Sequence, residues 1–268
     1  KILPMRDMIV ARNKQERQVA LDKLLVLQRE DFEGIYKELH VLPATIRLID
    51  PPLHEFLPHT EEEQKVLAKA CGMTFEQIVD VINSLAEFNP MMGHRGCRLA
   101  VTFPEIAEMQ TRAIIEAAIN VSKQQKIDIE PEIMIPLVSS VNEYLYVKQI
   151  VQNTAQKVMD ELNYKLHVKI GTMIETPRAV IISKQLAQNA DFFSFGTNDL
   201  TQLSFGFSRD DAGKFINDYY DKKILEHDPF VRLDEEGVGE FIKMTVNNAR
   251  SVKPNFKIGV CGEQGSNA

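Results

Sequence analysis

Short apolar runs alternate with stretches of helical periodicity along this chain, and that alternation limits its possible folds more than any other feature. Strand-like runs fall at 41–50, 131–138, 167–175, 190–197 and 257–261. Helical patterns fall between them. Thr60 with Glu63, Thr74 with Gln77 and Ser140 with Glu143 have the spacing of capping boxes, and predict helices over 60–70, 74–88 and 140–162. Thr102-Phe103-Pro104-Glu105 predicts a further start, with a helix running to about residue 122. Thr176-Pro177 reads as an N-cap followed by proline at the first helical position. A last helix is expected over 237–250, and the first residues, 2–10, are already amphipathic. Pro51-Pro52 stops the first strand, because proline has no N–H to give to a ladder.

Continuous apolar strands alternating with helices imply a parallel sheet covered by helices. An open doubly wound sheet and a (β/α)₈ barrel both satisfy that pattern. Polar residues stand at the carboxyl ends of successive strands: Arg47 and Asp50, Glu175, Asn198 and Asp199, Glu263. In a barrel all such ends converge on one mouth. In an open sheet only those at the topological switch meet. No Gly-x-Gly-x-x-Gly follows a strand. The expectation is therefore an α/β fold, a TIM-type (β/α)₈ barrel, as one domain over 1–268. Besides the five runs, a short strand is expected at 97–100. A closed barrel needs eight strands, so the barrel is expected to be incomplete. Its first and last strands would lie outside the chain, which reads as a fragment of a longer multidomain enzyme.

Composition narrows the class. The 268 residues are 44% hydrophobic and 26% charged, as a globular domain with a sizeable core requires. Lys and Arg number 31 against 38 Asp and Glu, a net charge of -7 with no basic run, which argues against duplex nucleic acid. No apolar stretch approaches the roughly 20 residues of a membrane span. Three scattered cysteines, Cys71, Cys97 and Cys261, form neither a disulfide framework nor a zinc set, so a reducing, cytoplasmic setting is expected.

Chemistry is expected from a carboxylate pair. Glu175 ends one strand and Asp199 the next, and neighbouring strands lie about 4.8 Å apart. Two such carboxylates can reach one cation, and hard oxygens suit Mg²⁺. Each can instead cap the turn that follows it. Gly196 allows close approach of a ligand, or serves a tight turn. Thr197 and Asn198 offer N–H groups and an amide to an anion. Arg47, inside an apolar strand, calls for an anionic partner, either a substrate phosphate or carboxylate or a nearby acid such as Asp50. Arg95 lies between Gly93 and Gly96 in a second basic cluster that includes His94 and Arg98. Guanidinium groups there suit phosphate. Met91, Met92, Met134 and Met173 read as packing, and His54, His59 and His167 as structural or solvated. Cys261, at a strand end, is more often inert.

Three segments carry a resemblance. Thr45-Ile46-Arg47-Leu48-Ile49-Asp50-Pro51-Pro52-Leu53-His54-Glu55-Phe56 resembles the pyruvate, phosphate dikinase family of PEP-utilising enzymes. So do the stretch from Gly93 to Thr102 and the run Gly196-Thr197-Asn198-Asp199-Leu200-Thr201-Gln202 with its flanks. The resemblance covers essentially the whole chain and implies the carboxy-terminal barrel that binds phosphoenolpyruvate or pyruvate. It implies a phosphohistidine on a swivelling domain as phosphoryl donor, and an ATP-using nucleotide-binding domain in the same parent chain. It also implies a homodimer. The segment between the Arg47 strand and Arg95, with its two helices, exceeds a usual βα connection and reads as an interface or lid element. Carried over, Glu175 and Asp199 hold Mg²⁺; Arg47 and Arg95 clamp the phosphoryl group; Gly196, Thr197 and Asn198 contact the substrate.

The family pattern also has a substrate arginine expected before Lys1 and a catalytic cysteine expected beyond Ala268, with Cys261 assigned to the preceding strand. On that reading no catalytic residue lies in this chain, which is expected to bind without complete turnover. Gln264 stands where histidine is usual, Ser266 where glycine is usual, and Ser139 replaces a common glycine. A metal-dependent aldolase or lyase acting on pyruvate enolates is the other enzymatic reading, disfavoured by the arginine clusters.

Overall fold

The computed structural model describes residues 2–266, without the side chains of Glu263 and Ser266; the expectations for those two positions lie outside the described residues. The chain divides into two compact units, Lys1–Ile133 with Val147–Val168, and Met134–Tyr146 with Lys169–Ala268.

The elements in chain order begin with α1 (Ile2–Val10), α2 (Lys14–Leu39), β1 (Ala44–Arg47), α3 (Glu61–Cys71) and α4 (Phe75–Leu85). Next come α5 (Cys97–Thr102), α6 (Pro104–Gln125), β2 (Pro131–Ile135) and α7 (Val141–Glu161). They continue with β3 (Lys169–Ile174), α8 (Pro177–Ile181), α9 (Ser183–Asn189), β4 (Phe192–Gly196) and α10 (Thr197–Phe205). The last are α11 (Ile216–Asp221), α12 (Val238–Val252) and β5 (Lys257–Cys261), followed by a short 3₁₀ turn, Glu263–Ser266.

Most starts follow the capping residues read from the sequence. Thr74 and Gln77 complete a reciprocal box at α4, and Thr60 accepts from the Glu63 N–H at α3. Gly72, at φ 64°, closes α3 in the left-handed conformation that glycine adopts without strain. At α7, Ser140 Oγ accepts from the Glu143 N–H, and Glu143 in turn accepts from the N–H groups of Ser139 and Ser140. The Ser139 hydroxyl joins that cap, 2.8 Å from Glu143 Oε2, so the residue standing for glycine has found a use.

Two expectations fail locally. The strand expected at 97–100 is the helix α5, in which Leu99 N–H donates to Gly96 O and Phe103 N–H to Leu99 O. An apolar run this short has no period that separates strand from helix. Thr102 does not cap α6: its hydroxyl turns back to Arg98 O, and Phe103 takes the cap position without a side-chain bond.

The first unit is mainly helical. Its core joins Met8, Leu21, Leu24, Leu67, Ile78, Leu99, Ile106 and Met109 from five helices and the start of a sixth. Helix α6 runs against α2, and its Ala113, Ile114, Ile115, Ala117, Ala118 and Ile119 are all fully buried. Each buried isoleucine there contributes about 1.5–3 kcal/mol. Thr45 of β1 donates to the buried Glu132 of β2 at 2.6 Å.

The strand order is β1-β2-β3-β4-β5, the order of the chain itself. A doubly wound sheet would reverse direction at a switch point; sequential order is that of a (β/α)₈ barrel, of which five strands are present among the described residues. In the second unit β3 pairs with β4 and β4 with β5, both parallel. Helix α12 packs on α8 and α9. Tyr144 OH donates to Ile170 O at 2.8 Å, and burial pushes its phenol well above the usual range. Met134 and Met173 pack with Phe192 as expected, whereas Met92 is exposed. Among the described residues no helix is long and apolar enough to cross a membrane.

Candidate functional site

The second unit gathers the acidic pair. Glu175 follows the last residue of β3 and is fully buried. It does not cap α8, because Thr176 does: Thr176 Oγ1 accepts from the Ala179 N–H at 3.1 Å. Glu175 Oε1 instead accepts from the N–H of Leu137, at 2.6 Å. Leu137 holds φ 57°, a conformation costly for a branched residue and one that turns this N–H toward the carboxylate.

Register carries the site across the sheet. Ile174 pairs with Phe195, and Phe195 with Val260. One step on, Gly196 pairs with Cys261 and continues the row to Glu175. Gly196 has φ -89°, so no unusual turn demands glycine there. Space demands it: a Cβ at Gly196 would lie 2.3 Å from Glu175 Oε2 and 2.7 Å from Met173 Cε. The close approach comes from Glu175 itself.

Helix α10 begins at once after Gly196, which supplies no side-chain cap. Thr197, Asn198 and Asp199 are thus its first turn rather than a loop, and Asp199 is favoured there by the helix dipole. Asn198 Oδ1 is buried without a hydrogen-bond partner. Thr197 is buried and donates its hydroxyl to Gln264 Oε1. Cys261, which the sequence reading set aside, occupies the same row as Glu175 and Gly196. Its sulfur accepts from Ser194 Oγ at 3.2 Å and lies 3.4 Å from Phe195 O.

The first unit holds the arginines. Strand β1 alternates buried and exposed, which turns Arg47 off the core face with its side chain 42% exposed. The expected buried arginine is instead Arg95, 4% exposed. Both meet one carboxylate, with Asp50 Oδ2 lying 2.7 Å from Arg95 Nη2 and 3.1 Å from Arg47 Nη1. Asp50, itself 5% exposed, is thus the anionic partner that the sequence left as one of two options. Gln110 of α6 fixes the end of β1, accepting from the Ile49 N–H and donating to Arg47 O. Arg98 binds the carbonyls of Met92 and Gly93, and His94 pairs with Thr102 Oγ1; both are structural. His167 pairs with Glu130 at the surface.

Hard-oxygen donors from Glu175, Asp199 and the orphaned Asn198 Oδ1 match what Mg²⁺ takes, and a buried carboxylate is stabilised by a cation. Among the described residues, no cluster of three or more His, Cys, Asp and Glu extends the pair into a metal-ligating group. Sequence reasoning named the Thr176 cap and the Gln264 departure, but missed that both arginines share Asp50 and that Gln264 bonds Thr197. Asp50, three residues after Arg47, left a signal for the first.

The family described as PEP-utilising enzyme, PEP-binding domain matches residues 5–268. Pyruvate, phosphate dikinase of Clostridium symbiosum is 54% identical over 265 residues, 99% of this chain and 30% of that protein. The chloroplastic pyruvate, phosphate dikinase of Mesembryanthemum crystallinum is 50% identical over 267 residues, 99% of this chain and 28% of that one. The enzyme of that name from Rhizobium meliloti (strain 1021) is 50% identical over 261 residues, 97% of this chain and 29% of its own. The chain therefore spans under a third of the length of these relatives. A citrate lyase structure from Burkholderia xenovorans LB400 covers 88% of this chain and 70% of its own at 11% identity and TM-score 0.39, too slight a likeness to carry an argument. With the match running over nearly its whole length, the chain belongs to the PEP-binding domain family of PEP-utilising enzymes.

Proposed function

We propose that this chain is the phosphoenolpyruvate- and pyruvate-binding part of a pyruvate, phosphate dikinase, the phosphotransferase that its relatives are named for. The observation that carries the reading is the buried Glu175 carboxylate in one row with Gly196 and Cys261, with Asp199 in the helix turn that follows. Glu175 and Asp199 would hold Mg²⁺, with Asn198 beside them. When bound, that ion stabilises negative charge on the enolate oxygen of the keto acid.

The chain's own groups bind and orient the substrate. Pyruvate reacts as its enolate: its methyl carbon gives up a proton, and the enolate oxygen takes the phosphoryl group. In the reverse direction the oxygen loses the phosphoryl group and the carbon regains the proton. We assign that proton to a cysteine outside this chain, as the resemblance implies, and Cys261 to the preceding strand, where it pairs with Gly196. Arg47 and Arg95 are assigned to the phosphoryl group, whose charge a guanidinium matches in planar, paired hydrogen bonds. Asp50 holds both arginines in place. Burial leaves Arg95 the more rigid and Arg47 the more accessible. Gly196 keeps the floor of the site free of a Cβ, and Thr197 and Asn198 present the first turn of α10.

Phosphoryl supply by a phosphohistidine domain, an ATP site elsewhere in a longer parent chain, and a homodimer belong to the same proposal. Titration of phosphoenolpyruvate into the chain tests it. The expected result is binding that requires Mg²⁺ and is lost in Glu175→Gln. Binding unaffected by Mg²⁺ or by that substitution would contradict it. Turnover is a separate question: solvent deuterium exchange into the pyruvate methyl group, expected to be absent with this chain alone, separates a binding module from a catalytic barrel.

A further inference from the structure

Gln264 is 7% exposed, and both ends of its amide are in use. Its Oε1 accepts from Thr197 Oγ1 at 2.5 Å, while its Nε2 donates to Phe230 O at 3.0 Å and to Pro229 O at 3.3 Å. The two carbonyls accept only, so the amide nitrogen must face them and the amide oxygen must face Thr197. That orientation forces the Thr197 proton toward Gln264. The fit is closed from the other side by Gly262, at φ +126°, where a Cβ would stand 2.6 Å from Thr197 Oγ1. Any side chain at 262 would push the hydroxyl off the amide. Thr197 is the first residue of α10, and Asp199 lies two positions on in the same turn.

We infer that Gln264 is a positioning residue: through the Thr197 hydroxyl it fixes the first turn of α10 and so sets where Asn198 and Asp199 stand for a metal-bound keto acid. The inference rests on the function proposed above. It is also a bridge, because Phe230 belongs to the apolar cluster of Ala212 and Ile216 that follows α10. The site turn is thereby tied to the segment beyond its own helix. What the position requires is one acceptor and one donor at opposite ends of a planar group. A neutral imidazole, with one bare nitrogen and one N–H, meets that requirement. The histidine usual in the family and the glutamine here are therefore interchangeable in this role, and leucine, of similar size, is not.

Two readouts test this, one of them free of ligand. Amide hydrogen exchange of the full chain should be faster over 197–201 in Gln264→Leu and in Thr197→Val, and unchanged over β3. Binding of oxalate, a planar dianion with the outline of the pyruvate enolate, should be followed with Mg²⁺ at pH 8. Loss of a buried hydrogen-bond partner predicts about tenfold weaker binding in Gln264→Leu, retained affinity in Gln264→His, and no further loss when Thr197→Val is added to Gln264→Leu. Wild-type-like exchange and binding in Gln264→Leu would overturn the inference, and so would losses that add in the double variant. Should Gln264→Leu fail to fold, Thr197→Val removes the other end of the same bond and is read in the same way. If the wild type binds no oxalate, the proposed function fails, and the exchange arm still decides the coupling.

Discussion

At the scale of single residues, two positions carry consequences out of proportion to their size. Gly196 is glycine because Glu175 occupies the place of its Cβ. Gly196→Ala should therefore act on Glu175 first. The expected outcome is a loss of about 1–3 kcal/mol of stability by overpacking, with Mg²⁺-dependent binding lost as the carboxylate is displaced. Urea unfolding and ligand titration on the same variant check both. Asp50 is the second position. Removing it breaks the buried pair of Asp50 with Arg95, a change that costs about 3–5 kcal/mol in comparable buried pairs. Removing Arg47 breaks a pair whose arginine end is 42% exposed and leaves Arg95 on Asp50, a loss of about 1 kcal/mol or less. Unfolding of Asp50→Ala and Arg47→Ala should thus differ several-fold in cost, since the first breaks both pairs to Asp50 Oδ2 and the second only the one with Arg47. Equal costs would mean that the other groups around Arg95 hold it without Asp50.

At the scale of elements, the sequence was legible where a local rule decided the outcome. Thr74 with Gln77, Ser140 with Glu143 and Thr176-Pro177 each placed a helix start correctly, since a cap is a matter of three or four neighbouring residues. It was illegible where tertiary packing decided. The stretch at 97–100 looked like a strand and became α5, because Gly96 turns the chain into a helical first turn. Helix α2, 26 residues long, buries only a narrow stripe of Ala20, Leu21, Leu24, Phe32 and Tyr36 among many charged residues. The site was legible in its residue types and only partly in their arrangement. Glu175 and Asp199 stand out as acids after apolar strands. That Asp199 is in a helix turn, and that Arg47 faces outward while Arg95 is buried, follows from register and alternation that the sequence alone does not fix. The caps supply the test here. Thr74→Ala should cost about 1 kcal/mol of stability. Thr102→Ala, at a residue that reads as a cap and is not one, should stay within about 0.5 kcal/mol. Denaturant midpoints of the two variants compare them directly.

For the molecule as a whole, sequential strand order and the register of β3, β4 and β5 place Glu175, Gly196 and Cys261 at the carboxyl ends of neighbouring strands. The chain belongs to a family described as PEP-binding, and the proposed function puts the substrate at that edge. What unites the two is the claim that Glu175 and Asp199 serve one divalent ion. A double-mutant cycle reads that claim most directly, with Mn²⁺ binding followed by its paramagnetic resonance signal in the wild type, Glu175→Gln, Asp199→Asn and the pair together. Shared coordination predicts that either single substitution removes most of the affinity, and that the double variant binds no more weakly than the weaker single. Two modest losses that simply add, or full Mn²⁺ binding in either single variant, would contradict it.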